Sequence, residues 1–273
     1  MWDFSHDLRK TFLKLMPDYL GTAEGRMGDK IEFKSNDGTP VGDLDRFAMG
    51  KLRECIARHF PNDLTVGEED KLGTGDMERI LADSEHRWWT VDGLDGTGNR
   101  QMETTFGGMV SLRQGDAILY SAIFRPMDHK VFGNGFFTAE RGCGAWRWYG
   151  KKRRRQLWAT KHDPEKRLVV MMEGSSKKFF HSPRTVRLGQ TVTTRSSVSS
   201  CFATTIVASG QASSLLVHDN PPWDAWPGLL FITEAGGIVS DWDGNPVTPA
   251  NCRNLLAASN ETDHKYLVEL LRV

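Results

Sequence analysis

The chain has 273 residues, 39% of them hydrophobic, with Lys plus Arg and Asp plus Glu balanced at 35 each. This length buries a substantial core, in one large domain or two small ones, and the balanced charge leaves no global field to attract nucleic acid or an anionic membrane. Cys55, Cys143, Cys201 and Cys252 are widely separated without CxxC spacing, which argues against a disulfide framework or a thiolate zinc site and fits a reduced, cytoplasmic setting.

No basic segment leads into an apolar one after Met1 and no run of about 18 apolar residues occurs, so neither a signal peptide nor a membrane span is expected. Leu8, Phe12, Leu15 and Met16 predict an amphipathic helix from residue 5 to about 20. A strand over Lys30 to Phe33 and a turn over Asn36 to Pro40 follow. From Asp43 to Phe60 the helical period returns, with Asp43 as N-cap and Asp45 in the first turn, where an acid complements the helix dipole. Leu64 to Val66 reads as a strand stopping at Gly67-Glu68-Glu69-Asp70, and Trp88 to Val91 as a buried strand ending in an Asp/Gly turn. Residues 106 to 140 alternate apolar runs with Gly, Asp or Pro breaks, as in an antiparallel sheet. The basic run Lys151 to Arg155 lacks stacking aromatics or a binding module and reads as a solvated hairpin or loop. Leu168 to Met172 is a buried strand and Ser199 to Ser209 a small-residue helix ending at Gly210. Leu215 to Val217 leads into a helix through Glu234, whose Pro222 and Pro227 both suit a helix start, and Ile238 to Trp242, Leu255 to Ala258 and a helix over Glu261 to Leu271 complete the chain.

Chemistry concentrates at Val91-Asp92-Gly93-Leu94-Asp95-Gly96-Thr97-Gly98-Asn99. Two carboxylates across so short a turn repel unless a cation lies between them, and the glycines let backbone approach an anion closely. Asp45, Glu68 and Asp224 also stand at the ends of apolar elements. Hard oxygen donors without His or Cys favour Mg²⁺ or Mn²⁺.

Gly67-Glu68-Glu69, the Asp92 to Asn99 segment, and Trp223-Asp224 followed by Glu234-Ala235-Gly236-Gly237 together resemble the three signatures of the inositol monophosphatase family, in order and separation, from about Lys34 to the C-terminus. Lys34, Asp37-Gly38-Thr39-Pro40-Val41 and Asp45 resemble its upstream segment, with Gly42 where Thr is usual. The resemblance implies an α/β (α+β layered) fold, an alternating α-β-α-β-α sandwich, in one phosphatase unit over 1–273, with an α+β half to about 145 and an α/β half from about 146. It also implies that Glu68, Asp92, the Leu94 carbonyl, Asp95 and Asp224 hold two Mg²⁺ ions, Asp45 with Glu68 serving a weaker third. Thr97 and Glu68 orient the attacking water, and Gly96 and Thr97 receive the phosphate. Lithium sensitivity and a homodimer are family expectations.

Several positions depart from the pattern. Gly93 replaces a Pro, and Arg100 stands where an aromatic is common, either contacting an anionic substrate or forming a surface salt bridge. Ser199 and Ser200 align with substrate-touching small residues, or simply pack a helix. Val217 occupies the place of an acid that binds a substrate hydroxyl, with His218 and Asp219 adjacent as substitutes. Selectivity for inositol should therefore fall. The expected function is a Mg²⁺-dependent phosphomonoesterase acting on a sugar phosphate, inositol phosphate or histidinol phosphate by in-line attack of metal-activated water. A 3′(2′),5′-bisphosphate nucleotidase, with Arg100 or the basic run on the second phosphate, and a non-catalytic regulatory member binding RNA or protein are the alternatives. No nucleic acid or membrane partner is expected for the main reading. Residues 145 to 200 are the least family-like, open as a substrate-side cap or a dimer surface.

Overall fold

Helix α1 (Trp2–Tyr19) buries Phe4, Leu8, Phe12 and Leu15 on one stripe and starts three residues before the expected position. The computed structural model describes residues 1–21, 31–33, 40–150, 153–161, 168–174 and 177–272, so Lys34, most of the Asn36 to Pro40 turn, Lys151 and Lys152 lie outside the described residues. Strands β1 (Ile31–Phe33) and β2 (Pro40–Gly42) pair antiparallel and lead into α2 (Asp43–His59). The N-cap of α2 is Gly42 rather than the expected Asp43. Glycine has no side chain to cap with, and the Asp45 carboxylate reaches back to accept the Gly42 N–H at 2.7 Å.

Strand β3 (Leu64–Gly67), helix α3 (Asp76–Ala82), strand β4 (Arg87–Asp95) and the short helix α4 (Thr97–Gln101) come next. After them run β5 (Gly107–Gln114), β6 (Ala117–Phe124), α5 (Pro126–Phe132), β7 (Phe136–Glu140), β8 (Gly144–Tyr149) and β9 (Arg153–Gln156). The seven strands form one sheet in sequence order, β3 and β4 parallel and the rest antiparallel. The expected antiparallel sheet over 106 to 140 is its centre. Arg153, Arg154 and Arg155 are exposed on its edge strand, with the Arg154 guanidinium 4.0 Å from the Trp146 ring centroid. Charged side chains on an edge discourage pairing with another chain.

The second half is built from β10 (Val169–Glu173), α6 (Lys177–Phe180), α7 (Pro183–Thr191), β11 (Thr193–Arg195), α8 (Ser200–Ala208) and β12 (Ser214–Val217). It ends with α9 (Pro222–Glu234), β13 (Ile238–Ser240), β14 (Leu255–Ala258) and α10 (Glu261–Leu271). Its five-stranded sheet runs β11-β10-β12-β14-β13. Pro222 starts α9 as expected, but Pro227 lies inside it, where proline cannot donate the helical hydrogen bond.

Period-two alternation sorts side chains into layers. Phe136, Val110 and Trp89 face α1 and α2 in one core, whereas Phe137 and Met109 face α8 and α9 in another. Met171, Leu215 and Leu255 cover the opposite side of α8 and α9, and Val170, Leu216 and Leu256 pack under α7 and α10. The result is the α-β-α-β-α sandwich expected from the resemblance. Among the described residues, no helix is long and apolar enough to cross a membrane.

Candidate active site

The parallel register of β3 with β4 pairs Gly67 with Val91, so Glu68, just past the end of β3, follows level with Asp92 in β4. Asp92 was expected in a turn, but β4 continues through Asp95. Its pairing with β5 goes from Asp92↔Met109 to Asp95↔Gly107, three steps against two. This bulge matters because residues three apart on a regular strand face opposite ways, and one extra residue returns both carboxylates to the same side. Asp224 arrives from the first turn of α9. Carboxylate oxygens of Asp92, Asp95 and Asp224 all lie within 4.8 Å of one another.

Asp92 is 1% exposed. Its Oδ1 accepts the Leu94 N–H at 2.9 Å, while Oδ2 is buried with no hydrogen-bond partner among the described residues. Burial, then the charges of Glu68, Asp224, Asp95 and Asp45, hold its pKa well above the usual carboxylate range. Glu68 and Asp45 thus act on the cluster as like charges. Asp95 is raised by burial too, opposed by donors from the start of α8: the Ser199 hydroxyl, the Cys201 N–H at 3.0 Å and the Ser200 N–H at 3.1 Å. Burial pushes Asp45 up to about 7 despite the Gly42 N–H and the Thr97 hydroxyl. That hydroxyl lies 2.9 Å from Asp45 Oδ1 and 3.1 Å from the Leu94 carbonyl oxygen, two acceptors for one proton. A buried, partnerless carboxylate oxygen among converging acids is a poor fit to an apolar or neutral ligand and a good fit to a hard divalent cation.

The glycine departure has a structural cause. A Cβ at Gly93 would lie 2.4 Å from the Asp45 carbonyl oxygen and 2.7 Å from the Met49 nitrogen, so α2 leaves no room for a side chain there. The Tyr19 hydroxyl closes the other side by donating to the Gly93 carbonyl at 2.6 Å. Gly96, at φ +78°, precedes α4 in the left-handed region that glycine tolerates.

Other expected substrate contacts are engaged elsewhere. Arg100 donates to the Tyr19 and Asp18 carbonyls at 3.0 Å each, at the C-terminus of α1, where the side chain of a cation complements the helix dipole. Ser199 and Ser200 are buried and hold Asp95, and Ser199 also caps α8. Ser200 Oγ further accepts from the Asn220 amide at 3.1 Å. His218 stacks on Phe179 with ring centroids 5.1 Å apart and lies 5.5 Å from Trp242. Val217 belongs to the core under α9, which explains why an apolar residue is accepted there.

Glu173 and Tyr19 went unnoticed in the sequence, and Asn99 was read only as the end of the Val91 to Asn99 motif. Glu173, at the end of β10 and 2% exposed, accepts from Ser197 and Ser199, and burial raises it to about 7. The signal for it was the same as for Glu68, an apolar strand stopping at a carboxylate. Asn99 donates to the Ser197, Val198 and Thr105 carbonyls. Tyr19 shows no local pattern, and the bonds of Asn99 to the Ser197 and Val198 carbonyls join residues about 100 positions apart.

The model of the Inositol monophosphatase family matches residues 3–272. A histidinol-phosphatase of Chlorobaculum parvum is 26% identical over 90% of this chain and 91% of its own. The inositol-1-monophosphatase of Rhizobium meliloti is 30% identical over 75% of this chain and 73% of its own. Among solved structures, the Thermotoga maritima IMPase superposes with a TM-score of 0.75 at 22% identity, covering 98% of this chain and 95% of that one. With its layered fold and a family match over almost its entire length, the chain belongs to the inositol monophosphatase family, a family of phosphatases.

Proposed function

We propose that this protein is a Mg²⁺-dependent phosphomonoesterase acting on a small phosphorylated metabolite. The observation that carries the reading is the buried, unpartnered Asp92 Oδ2 within the Asp92, Asp95 and Asp224 cluster. Those three carboxylates, the Glu68 carboxylate and the Leu94 carbonyl would hold Mg²⁺, with Asp45 and Glu68 forming a weaker position. When bound, Mg²⁺ or Mn²⁺ would supply charge neutralisation for the phosphate and its leaving group and would acidify water.

The protein's own part is positioning and proton handling. Thr97, poised between Asp45 and the Leu94 carbonyl, and Glu68 would orient the attacking water in line with the leaving oxygen. Asp45 would take up a proton through the Thr97 hydroxyl. The Gly96 and Thr97 backbone would receive the phosphate.

Substrate choice follows from the engaged residues. With Val217 in the core, no carboxylate at that position recognises a polyol hydroxyl. Inositol phosphate is therefore one member of a class that includes sugar phosphates and histidinol phosphate. The bisphosphate nucleotidase reading loses support, since Arg100 is committed to α1 and the Arg153 to Arg155 strand lies five strands from β4, roughly 24 Å across the sheet. Phosphate release from a panel of phosphomonoesters, with Mg²⁺ and with EDTA, tests the proposal. Release from at least one small monoester that EDTA abolishes is expected, and metal-independent release or none would refute it.

A further inference from the structure

Glu173 belongs to the second sheet and is not one of the acids assigned to metal, yet it is almost completely buried. One carboxylate oxygen accepts the Ser197 N–H at 2.9 Å and the Ser197 hydroxyl at 2.7 Å, and the other accepts the Ser199 N–H at 3.1 Å. Asn99 grips the same loop from the first sheet's side through the Ser197 and Val198 carbonyls. Between them Val198 is held at φ +52°, a costly conformation for a β-branched residue that persists only when its surroundings enforce it. The outcome of this clamp is the placement of Ser199, whose hydroxyl donates to Asp95. Asp95 Oδ2 then takes two donors, Ser199 and Cys201, and Oδ1 takes one, Ser200, leaving Oδ1 with acceptor capacity for a ligand.

We infer that Glu173 is a positioning residue for Asp95, acting through Ser199 and so setting how tightly the carboxylate cluster holds its cation. This rests on the metal role proposed for Asp95. The logic is that of partners one bond removed from a metal ligand, which orient the ligand and whose loss typically weakens metal binding by about 10- to 100-fold. Glutamine at 173 keeps the size and one acceptor oxygen but turns an NH₂ group toward one of the donors, so the Ser197 and Ser199 donors cannot all be satisfied.

Mg²⁺ titration calorimetry on the full chain, Glu173→Gln, Ser199→Ala and the double variant tests the inference. Glu173→Gln is expected to bind Mg²⁺ about 10-fold more weakly. Because both residues act on one path, the double variant should bind no more weakly than Ser199→Ala alone. Unchanged affinity in Glu173→Gln, or losses that add in the double variant, would overturn it. Should Glu173→Gln fail to fold, Ser197→Ala removes the one hydroxyl that anchors the Glu173 carboxylate, and a few-fold weaker binding supports the inference while none overturns it. A wild-type chain that gives no Mg²⁺ binding heat sinks the metal reading and this inference together, whereas equal binding by wild type and variant sinks this inference alone.

Discussion

Asp45, Asp92, Asp95 and Glu173 are buried acids whose pKa values burial raises, Asp45 and Glu173 to about 7. Without metal each binds its proton more tightly in the folded chain than in the unfolded one. Their contribution to stability is therefore fully present below the ordinary carboxylate range and is lost as the pH rises through the raised values. The EDTA-treated protein is expected to melt at progressively lower temperature from about pH 5 to about pH 8. Mg²⁺ favours the ionised forms and should flatten that slope. Melting curves across pH with and without Mg²⁺ check this, and an EDTA curve that rises over the same window would contradict it. Gly93 shows how a single residue departs from a family pattern for a steric reason, since α2 occupies the space a Cβ would need.

At the scale of elements, the site is assembled by strand ends and helix starts. The bulge in β4 turns Asp92 and Asp95 to one side, the first turn of α9 brings Asp224, and the start of α8 holds Asp95 with three donors. Arg100 acts at this scale by tying α4 to the end of α1. Arg100→Ala should lower stability by about 1–2 kcal/mol through lost hydrogen bonds, with KM little changed. A raised KM at unaltered stability would instead return Arg100 to the substrate site. Elements with strong periodicity were legible beforehand: α10 falls at the expected Glu261 to Leu271, and the strands over 106 to 140 occur in the expected antiparallel sheet. The end of β4 was misread because Asp and Gly are turn formers, and nothing local distinguishes a turn from a bulge whose register β5 imposes. Pro227 was misplaced because the packing of α9 between two sheets outweighs proline's preference for a helix start.

Across the whole molecule, the acids come from both halves of the chain and meet where the first sheet borders the α8 and α9 layer. Their convergence was readable only through three spaced motifs taken together, because no single acid carries a local signature of chemistry. The links through Ser199, Glu173, Asn99 and Tyr19 were not readable, since each joins residues that only the layered fold brings together. A fold that buries like charges this closely sacrifices stability in the metal-free state for function, a pattern common at active sites. Neutralising Asp92 separates the two demands. Asp92→Asn removes from the cluster a carboxyl that is buried at a cost once ionised, so with EDTA present at alkaline pH its melting temperature should rise above that of the wild type. With saturating Mg²⁺ its phosphate release should fall by more than the roughly 100-fold that a metal ligand's outer partner can cost. The paired measurement is the most direct test of the account: a stabler metal-free protein that has lost its phosphatase activity is predicted, and a variant that melts earlier while releasing phosphate at the wild-type rate would contradict it.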